Sequence, residues 1–343
     1  MSQSHSVLLK GNVTITISNK KTGEKKVIKL DNAIAEEFAL AMTLNLLGGV
    51  AQGYARVFGT PSGIAFIFQN GATTVTQISA TLNSFSDTLA SNAETTTATF
   101  YGSDASPSTY TITAIQLWTI VGGVLFLQVA YFYLPEPLTK NTDDVITISW
   151  TESVVTQVPL ANWYTFAQSQ CNSQCSSPSA CLSFLQSIQG AGVNGSGASI
   201  VNLLWALLLI PNFQSIASKF STPLTQLVST INGTITGFVG LAEVFLINLC
   251  SGQSQLQVAV GLNTEVVVGA NNIYGAVNFT FNNNVNPNFA LVIVTFSTST
   301  GGYNAVLGFI PITGSPIPGT NQVGILLRVP YGLLTQQSQQ VSS

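Results

Sequence analysis

The chain has 343 residues, of which 46% are hydrophobic and 7% are charged, and its net charge is −3. A typical soluble domain carries roughly 25% charged residues, so Ser, Thr, Asn, Gln and Gly stand where charges usually do. This composition excludes a disordered acidic or basic tail, a coiled coil and a nucleic-acid binder of the usual basic kind. Because few carboxylates must be protonated at low pH, the fold is expected to tolerate an acidic exterior.

The lysines near the N-terminus are the most uneven feature of the charge. Residues 1–30 carry six lysines against one acid, whereas the rest of the chain carries four basic residues against twelve acids. They could form a basic contact surface for nucleic acid or an acidic neighbour, but a solvated hairpin with a lysine-protected edge is favoured. A sequence-specific nucleic-acid partner is not expected. The six residues are Lys10, Lys20, Lys21, Lys25, Lys26 and Lys29.

Alternation of hydrophobic and polar residues predicts a β-sandwich domain over residues 1–156. The first strand is marked by Val13 and Ile15, and a polar turn over 19–24 leads into a returning strand over 25–30. A helix near 32–48 is predicted to follow, with Asn32 as its N-cap. Further strands are predicted over 64–69, 73–79, 96–101, 109–119, 123–133 and 145–151.

Helical patterns set residues 157–252 apart as a central insert. Two of its apolar runs, 200–210 and 237–249, are candidates for membrane contact. Eleven helical residues reach only about 16 Å, whereas a bilayer core is roughly 30 Å thick, and the second run contains Glu243. Buried helices of a globular insert are therefore favoured over a shallow membrane contact. Helices are predicted over 182–188, 200–210, 223–231 and 237–249.

All four cysteines lie in this insert, at Cys171, Cys175, Cys181 and Cys250. Their spacing does not match paired C-x2-C zinc knuckles, and no histidine is near them in the sequence. Two disulfides are favoured over a metal site, with the pairing left open. Such bonds require an oxidising exterior or the cytoplasm of a hyperthermophile.

Strands are predicted to return in residues 253–343. Six candidates lie over 256–260, 265–268, 276–281, 291–296, 305–310 and 323–329, followed by a polar, frayed tail. These strands either form a second β domain or complete one sandwich with the N-terminal part. The predicted fold class is thus mainly β, with β-sandwich or jelly-roll type domains and a central helical insert.

No catalytic constellation stands out in the sequence. His5 is the single histidine of the chain, and the adjacent pairs Glu36-Glu37 and Asp143-Asp144 point their side chains apart. We therefore expect no enzyme activity, no cofactor and no metal site. Four Asn-x-Ser/Thr sequons would mark exposed surface if glycosylated, although chance occurrence is favoured: Asn12, Asn194, Asn232 and Asn278.

The opening segment LLKGNVTITISNKKTGEKKVIKLDNAIAEEFALAMTLNLLGG has a distinctive layout. A strand, a polar turn ending in Thr-Gly and a second strand lead into Asn-Ala-Ile and a helix. It resembles N-terminal modules of turret, spike and capsid proteins from viruses of hyperthermophilic, acidophilic archaea. The resemblance covers roughly the first 50 residues and implies jelly-roll or β-sandwich domains, symmetric assembly and cell-surface recognition.

These observations favour a viral structural protein that self-assembles into a symmetric surface component of the virion. Its expected partners are copies of itself, other virion proteins and a host surface glycan or receptor. It would be assembled in the host cytoplasm, in keeping with the absence of a secretory signal pattern. The alternatives are a cellular extracellular filament or surface-layer subunit, and a carbohydrate-binding or glycoside-hydrolysing β-sandwich.

Overall fold

The computed structural model describes most of the chain. It covers residues 3–47, 60–91, 93–157, 163–190, 200–219, 235–247, 250, 257–258, 260–280, 289–298, 301–311, 322–332 and 340–342. Within them the protein is mainly β, with a large antiparallel sheet and few helices. The predicted helix over 223–231 and the sequons at Asn194 and Asn232 lie outside the described residues.

Long strands dominate the N-terminal half, and shorter strands follow the helices. The strands are β1 Gln3–Asn19, β2 Lys25–Asp31, β3 Ala33–Ile34, β4 Gly63–Asn70, β5 Thr73–Leu89, β6 Ala93–Asp104, β7 Tyr110–Val121, β8 Val124–Lys140, β9 Asp144–Gln157, β10 Ile235–Ile247, β11 Gln257–Val258, β12 Val260–Val268, β13 Asn272–Thr280, β14 Phe289–Thr298, β15 Gly301–Pro311, β16 Gln322–Pro330 and β17 Gln340–Ser342. The α-helices are α1 Glu36–Leu47, α2 Trp163–Gln174, α3 Pro178–Gly190 and α4 Ile200–Leu209, and a 3-10 helix spans Phe213–Lys219.

The main sheet has the order β12-β13-β16-β1-β9-β6-β5-β4-β7-β8-β3, with β2 beside β1 and β17 beside β2. Its neighbours are antiparallel except β1 and β16, which run parallel where Gln3 to Ser6 meet Ile325 to Arg328. Strands β12, β13 and β16 from the C-terminal part therefore continue the sheet beyond β1. A second sheet has the order β11-β10-β14-β15.

The main sheet bends back on itself because β5 is shared between two layers. Its first half pairs with β4, and its second half pairs with β6, with a register shift between Leu82 and Ser84 inside that pairing. Such bulges bend a strand and increase its twist. The layers face each other through Trp150 of β9, whose ring lies 5.7 Å from Phe66 of β4 and 5.2 Å from Phe132 of β8.

Strict alternation along β9 and β6 separates an inner face from an outer face. The inner residues of β9, from Ile146 to Thr156, are buried, whereas the outer residues between them are half-buried. The two strands share outward hydroxyl pairs: Thr97 with Ser153 at 2.9 Å, and Thr99 with Thr151 at 3.0 Å. We call this the hydroxyl face, formed by Thr95, Thr97, Thr99, Tyr101, Ser103, Val145, Thr147, Ser149, Thr151, Ser153 and Val155.

Helix α1 begins four residues later than predicted. The predicted N-cap, Asn32, is instead buried ahead of β3, whose Ala33 and Ile34 pair with β8. Strand pairing thus takes the residues that the sequence assigns to the first turn. The helix starts at Glu36, where the amide of Ala39 donates to the carbonyl of Ala35.

The helix predicted over 237–249 is wrong, because this run forms strand β10. It lies between β11 and β14 in the second sheet. A strand flanked on both sides carries apolar residues on both faces and so resembles a buried helix in sequence. The insert is therefore not helical throughout: its helices end with the 3-10 helix Phe213–Lys219 in the part of the chain that is described.

Helix α4 docks on the inner face through a buried polar network. The side chain of Asn202 accepts from Thr156 at 2.8 Å and donates to Thr96 at 2.8 Å. All three residues are fully buried, so each satisfies the others where water cannot. Around them, the apolar residues of α4 join the main core.

Two disulfides connect the four cysteines. Cys171 bonds Cys181 between α2 and α3, across ten residues. Cys175 bonds Cys250, across 75 residues, and ties the end of α2 to the chain beyond β10. The long bond therefore closes a loop that contains α3, α4, the 3-10 helix and β10, the first strand of the second sheet.

Candidate functional site

An open groove of about 290 Å³ lies on the outer face of the layer formed by β4, β7 and β8. Its walls combine phenol rings, side-chain amides and carboxylates. The lining residues are Glu36, Glu37, Gln69, Ala114, Gln116, Gln128, Tyr131, Tyr133 and Tyr331. We call it the tyrosine groove.

The register of β4, β7 and β8 determines which residues form the floor of the groove. Gln69, Ala114 and Tyr133 form one row across β4, β7 and β8. Gln116 lies opposite Tyr131 in the next row. The small side chain of Ala114 leaves the space between Gln69 and Tyr133 open.

Hydrogen bonds hold the amide side chains in one orientation. The indole of Trp118 donates to Oε1 of Gln116 at 2.7 Å, and Nε2 of Gln116 donates to Oε1 of Gln69 at 3.0 Å. This relay uses the oxygens of both amides within the protein. Since each amide nitrogen has two hydrogens, Nε2 of Gln69 is directed as a donor toward other acceptors in the groove.

Three tyrosines supply the aromatic walls. Tyr131 and Tyr133 lie edge to face with their centroids 5.7 Å apart, and Tyr133 is 68% exposed. Burial, with Tyr133 and Glu37 nearby, raises the pKa of Tyr131. Burial and the neighbouring Glu36 raise the pKa of Tyr331, so both phenols remain neutral.

Backbone pairing brings the acidic rim and Tyr331 to the groove from distant parts of the chain. Because Ala33 pairs with Tyr131, the first turn of α1 places Glu36 and Glu37 beside β8. The amide of Gly332 donates to the carbonyl of Ile34 at 2.9 Å. Gly332 has a φ of 83°, a backbone conformation that favours glycine. The turn at this residue places Tyr331 against the N-terminal end of α1.

A buried carboxyl group lies between the strands of the core. Glu152 is 1% exposed, and its Oε1 accepts from the indole of Trp150 at 2.7 Å and from Nδ2 of Asn32 at 2.8 Å. Both donors are neutral. Burial raises the pKa of Glu152 to about 8, more than these two hydrogen bonds lower it. The carboxyl group is therefore protonated at neutral and acidic pH.

Gly11 is required by this arrangement. A Cβ at Gly11 would lie 2.1 Å from Oδ1 of Asn32, so any larger residue would displace the amide that holds Glu152.

A second polar cluster joins three loops at one end of the layers. The phenol of Tyr110 donates to Asp104, and Nδ2 of Asn19 donates to Asp144. Burial opposes ionisation of Asp104, but hydrogen bonds from Tyr110 and Ser106 outweigh it and lower its pKa. The backbone hydrogen bond from Asn141, with the amide of Asn19, lowers the pKa of Asp144 despite its burial.

Lys140 completes this cluster as a fully buried cation. Its Nζ donates to the carbonyl of Ser108 at 3.1 Å and lies 5.6 Å from the ring centroid of Tyr110. The cluster joins the loops around Asn19, Asp104 and Asp144 through these hydrogen bonds.

The six N-terminal lysines are exposed on β1, β2 and the turn between them, and none of them lines the tyrosine groove. Two are occupied with neighbouring turns: Lys21 pairs with Asp143 at 2.8 Å, and Nζ of Lys20 donates to the carbonyl of Ala105 at 3.0 Å. The structure thus does not gather the lysines into one binding site with other predicted residues. Among the sequons, Asn12 is exposed on β1, and Asn278 lies on β13.

The sequence analysis missed the groove and Glu152. The Tyr-Phe-Tyr run over 131–133 contained a signal, since alternation places both tyrosines on the face opposite the buried Phe132. Glu152 likewise falls at an inward position of β9, where a charged residue is unexpected. The long-range pairing that joins these residues to α1 and Tyr331 had no local sequence signal.

The described residues hold no group of three or more His, Cys, Asp or Glu side chains placed to bind a metal ion. Among the described helices, none combines the length and apolar character needed to cross a bilayer.

Comparison with known proteins finds relatives in filamentous viruses. The chain is 30% identical over 339 residues to "Uncharacterized protein 53" of Sulfolobus islandicus filamentous virus (isolate Iceland/Hveragerdi), covering 96% of this chain and 95% of the relative. It is 27% identical over 246 residues to "Putative transmembrane protein ORF289" of Acidianus filamentous virus 2, covering 68% and 78%. "Uncharacterized protein 54" of the first virus is 24% identical over 279 residues, covering 68% of this chain and 78% of the relative. No protein-family model and no solved structure matches the chain.

Proposed function

The chain belongs to a family of proteins from filamentous viruses of Sulfolobus and Acidianus, and we propose that it is a structural protein exposed on the virion. In this proposal it self-assembles into a symmetric surface component and contributes to host attachment. The relatives' names agree with a viral origin and assign no position in the particle. Enzyme activity and a cofactor are not part of the proposal.

The observation that carries the proposal is that Glu152 is buried in its protonated, uncharged form. A carboxyl group that accepts only from neutral donors in the core favours its protonated form. Lowering the pH therefore stabilises the folded state through the protonation of Glu152. Near neutral pH this arrangement costs stability, because the folded protein keeps a proton that the unfolded chain loses. In an acidic medium that cost disappears, which supports a protein that faces acid.

The disulfides and the packing of the two layers also support the proposal of a protein exposed on the virion. One disulfide connects α2 with α3 and another connects the end of α2 with the chain beyond β10, and such bonds are common in proteins exposed to oxidising surroundings and in hyperthermophiles. Two layers facing each other across Trp150 are compatible with a β-sandwich or jelly-roll type domain, the finer fold that we include in the proposal.

The hydroxyl face supports the assembly part of the proposal. Its outward positions on β6 and β9 carry hydroxyl and apolar side chains and no charge. Interfaces between subunits are depleted in charge at their centres. An uncharged outer face on two central strands is therefore suited to packing against another subunit.

Purified virions provide the direct test. Antibodies against the recombinant protein, used with gold labelling in electron microscopy, should decorate intact particles, and mass spectrometry should find the chain in them. Light scattering of the recombinant protein should give one discrete oligomer at pH 7 and at pH 3. Absence from purified particles would overturn the virion assignment, and a monomer at both pH values would overturn self-assembly.

A further inference from the structure

We propose that the tyrosine groove is a binding site for a neutral saccharide. The inference rests on the groove itself and not on where the protein lies in the virion. It adds a ligand class to the attachment role, which the proposed function leaves unspecified.

The exposed ring of Tyr133 is the first argument. A phenol ring that is 68% exposed beside the half-buried ring of Tyr131 leaves a large apolar surface in contact with water. The C–H face of a pyranose ring can cover such a surface while its hydroxyl groups remain free to form hydrogen bonds. The two rings meet at 71°, so they form a corner and not a flat platform.

The polar side chains around the rings match a polyol. A sugar hydroxyl both donates and accepts, and the groove offers amide donors, amide acceptors, phenols and carboxylate acceptors within one volume. The Trp118–Gln116–Gln69 relay holds two of the amides before any ligand arrives. Such preorganisation reduces the entropy lost on binding.

The charge of the groove selects among saccharides. Its described lining contains Glu36 and Glu37 and no cationic side chain. A sulfated, phosphorylated or uronic-acid sugar would meet two carboxylates without a compensating cation. The groove therefore disfavours anionic sugars, which is why the proposed ligand is a neutral saccharide.

The size and layout indicate binding of a short segment without hydrolysis. About 290 Å³ is close to the lower end of the roughly 300–1,000 Å³ range of ligand pockets, so one or two sugar rings fit. Glu36 and Glu37 follow each other in the first turn of α1 and so approach from one element. A glycosidase needs carboxyl groups that flank the scissile bond.

The test uses the full chain at pH 5 with four probes: the methyl glycosides of glucose, mannose, galactose and N-acetylglucosamine. We expect saturation-transfer NMR to detect at least one, with a Kd in the millimolar range by titration. Tyr133→Ala and Gln69→Leu should each weaken that binding at least fivefold. Tyr274→Ala, which removes a 36% exposed tyrosine from β13, is the matched control and should bind as the wild type does.

Three results would overturn the proposal. The first is no saturation transfer from any of the four probes to a folded protein. The second is binding that Tyr133→Ala and Gln69→Leu leave unchanged, which would place the sugar elsewhere. The third is tighter binding of glucose 6-sulfate than of glucose. Because all readouts use the purified chain, a negative result here leaves the virion test unaffected, and the reverse also holds.

Discussion

At the scale of single residues, Glu152 links the core to the acidity of the surroundings. Its pKa is raised from 4.5 to about 8 by burial. Between these values the folded protein keeps the proton that the unfolded chain loses. The contribution of Glu152 to stability is therefore complete below pH 4.5 and is lost as the pH rises through 8.

Replacing Glu152 with Gln should remove this pH dependence. The amide retains an acceptor for Trp150 and Asn32 but cannot ionise. Denaturant unfolding at pH 5, 6, 7 and 8 should show wild-type stability falling by a few kcal/mol relative to Glu152→Gln across that range, since each pKa unit is worth about 1.4 kcal/mol.

The exposed Glu136 gives the matched control, because Glu136→Gln removes a carboxylate from the surface of β8. Its stability should follow the wild type at every pH. Asp104 and Asp144 have lowered pKa values, so their contributions are lost only as the pH falls below 3.8, outside the range tested. If the unfolding free energies of the wild type and Glu152→Gln changed in parallel with pH, the raised pKa assigned to Glu152 would be contradicted.

At the scale of elements, the two disulfides differ in the length of chain that they close. The bond from Cys175 to Cys250 spans 75 residues, and the bond from Cys171 to Cys181 spans ten. Chain-entropy arithmetic gives roughly 4.5 kcal/mol for the long loop and roughly 2.7 kcal/mol for the short one. The long bond also holds the chain that follows β10 next to the end of α2.

Paired alanine variants test this difference. Cys175→Ala with Cys250→Ala should lower the unfolding free energy by about 2 kcal/mol more than Cys171→Ala with Cys181→Ala. Thermal and denaturant unfolding of both variants, beside the fully reduced wild type, measure it. A larger loss from the short-loop variant would show that local packing around α2 and α3 outweighs loop closure.

The elements also show how far sequence reasoning reaches. Alternation located β1, β2 and β9 because each has one buried and one solvated face, and polar turns separated them. It failed for β10, where both faces carry apolar residues, and at Asn32, where pairing with β8 overrode the helix signal. The tyrosine groove could not be predicted, since its residues come from α1, three strands and the turn at Gly332 and meet only through long-range register.

At the scale of the whole molecule, the two layers of the main sheet have very different outer faces, and both carry few charged residues. One layer carries the hydroxyl face, and the other carries the tyrosine groove with its acidic rim. A subunit that packs through the first face can leave the second open to the surroundings. Assembly and recognition are then separable by mutation.

Placing charge on the hydroxyl face should block assembly without harming the fold. Ser149 and Thr151 lie two residues apart on β9, both half-buried and outward, so Ser149→Lys with Thr151→Lys adds two cations at its centre. Burying them against a second subunit is costly, and association should weaken at least tenfold by light scattering and sedimentation. Gln77→Lys with Ser79→Lys adds the same charge to exposed positions of β5 on the other layer and should assemble normally. If both variants assemble like the wild type, the subunits pack through another surface; if both fail, net charge is responsible and the hydroxyl face has no special role.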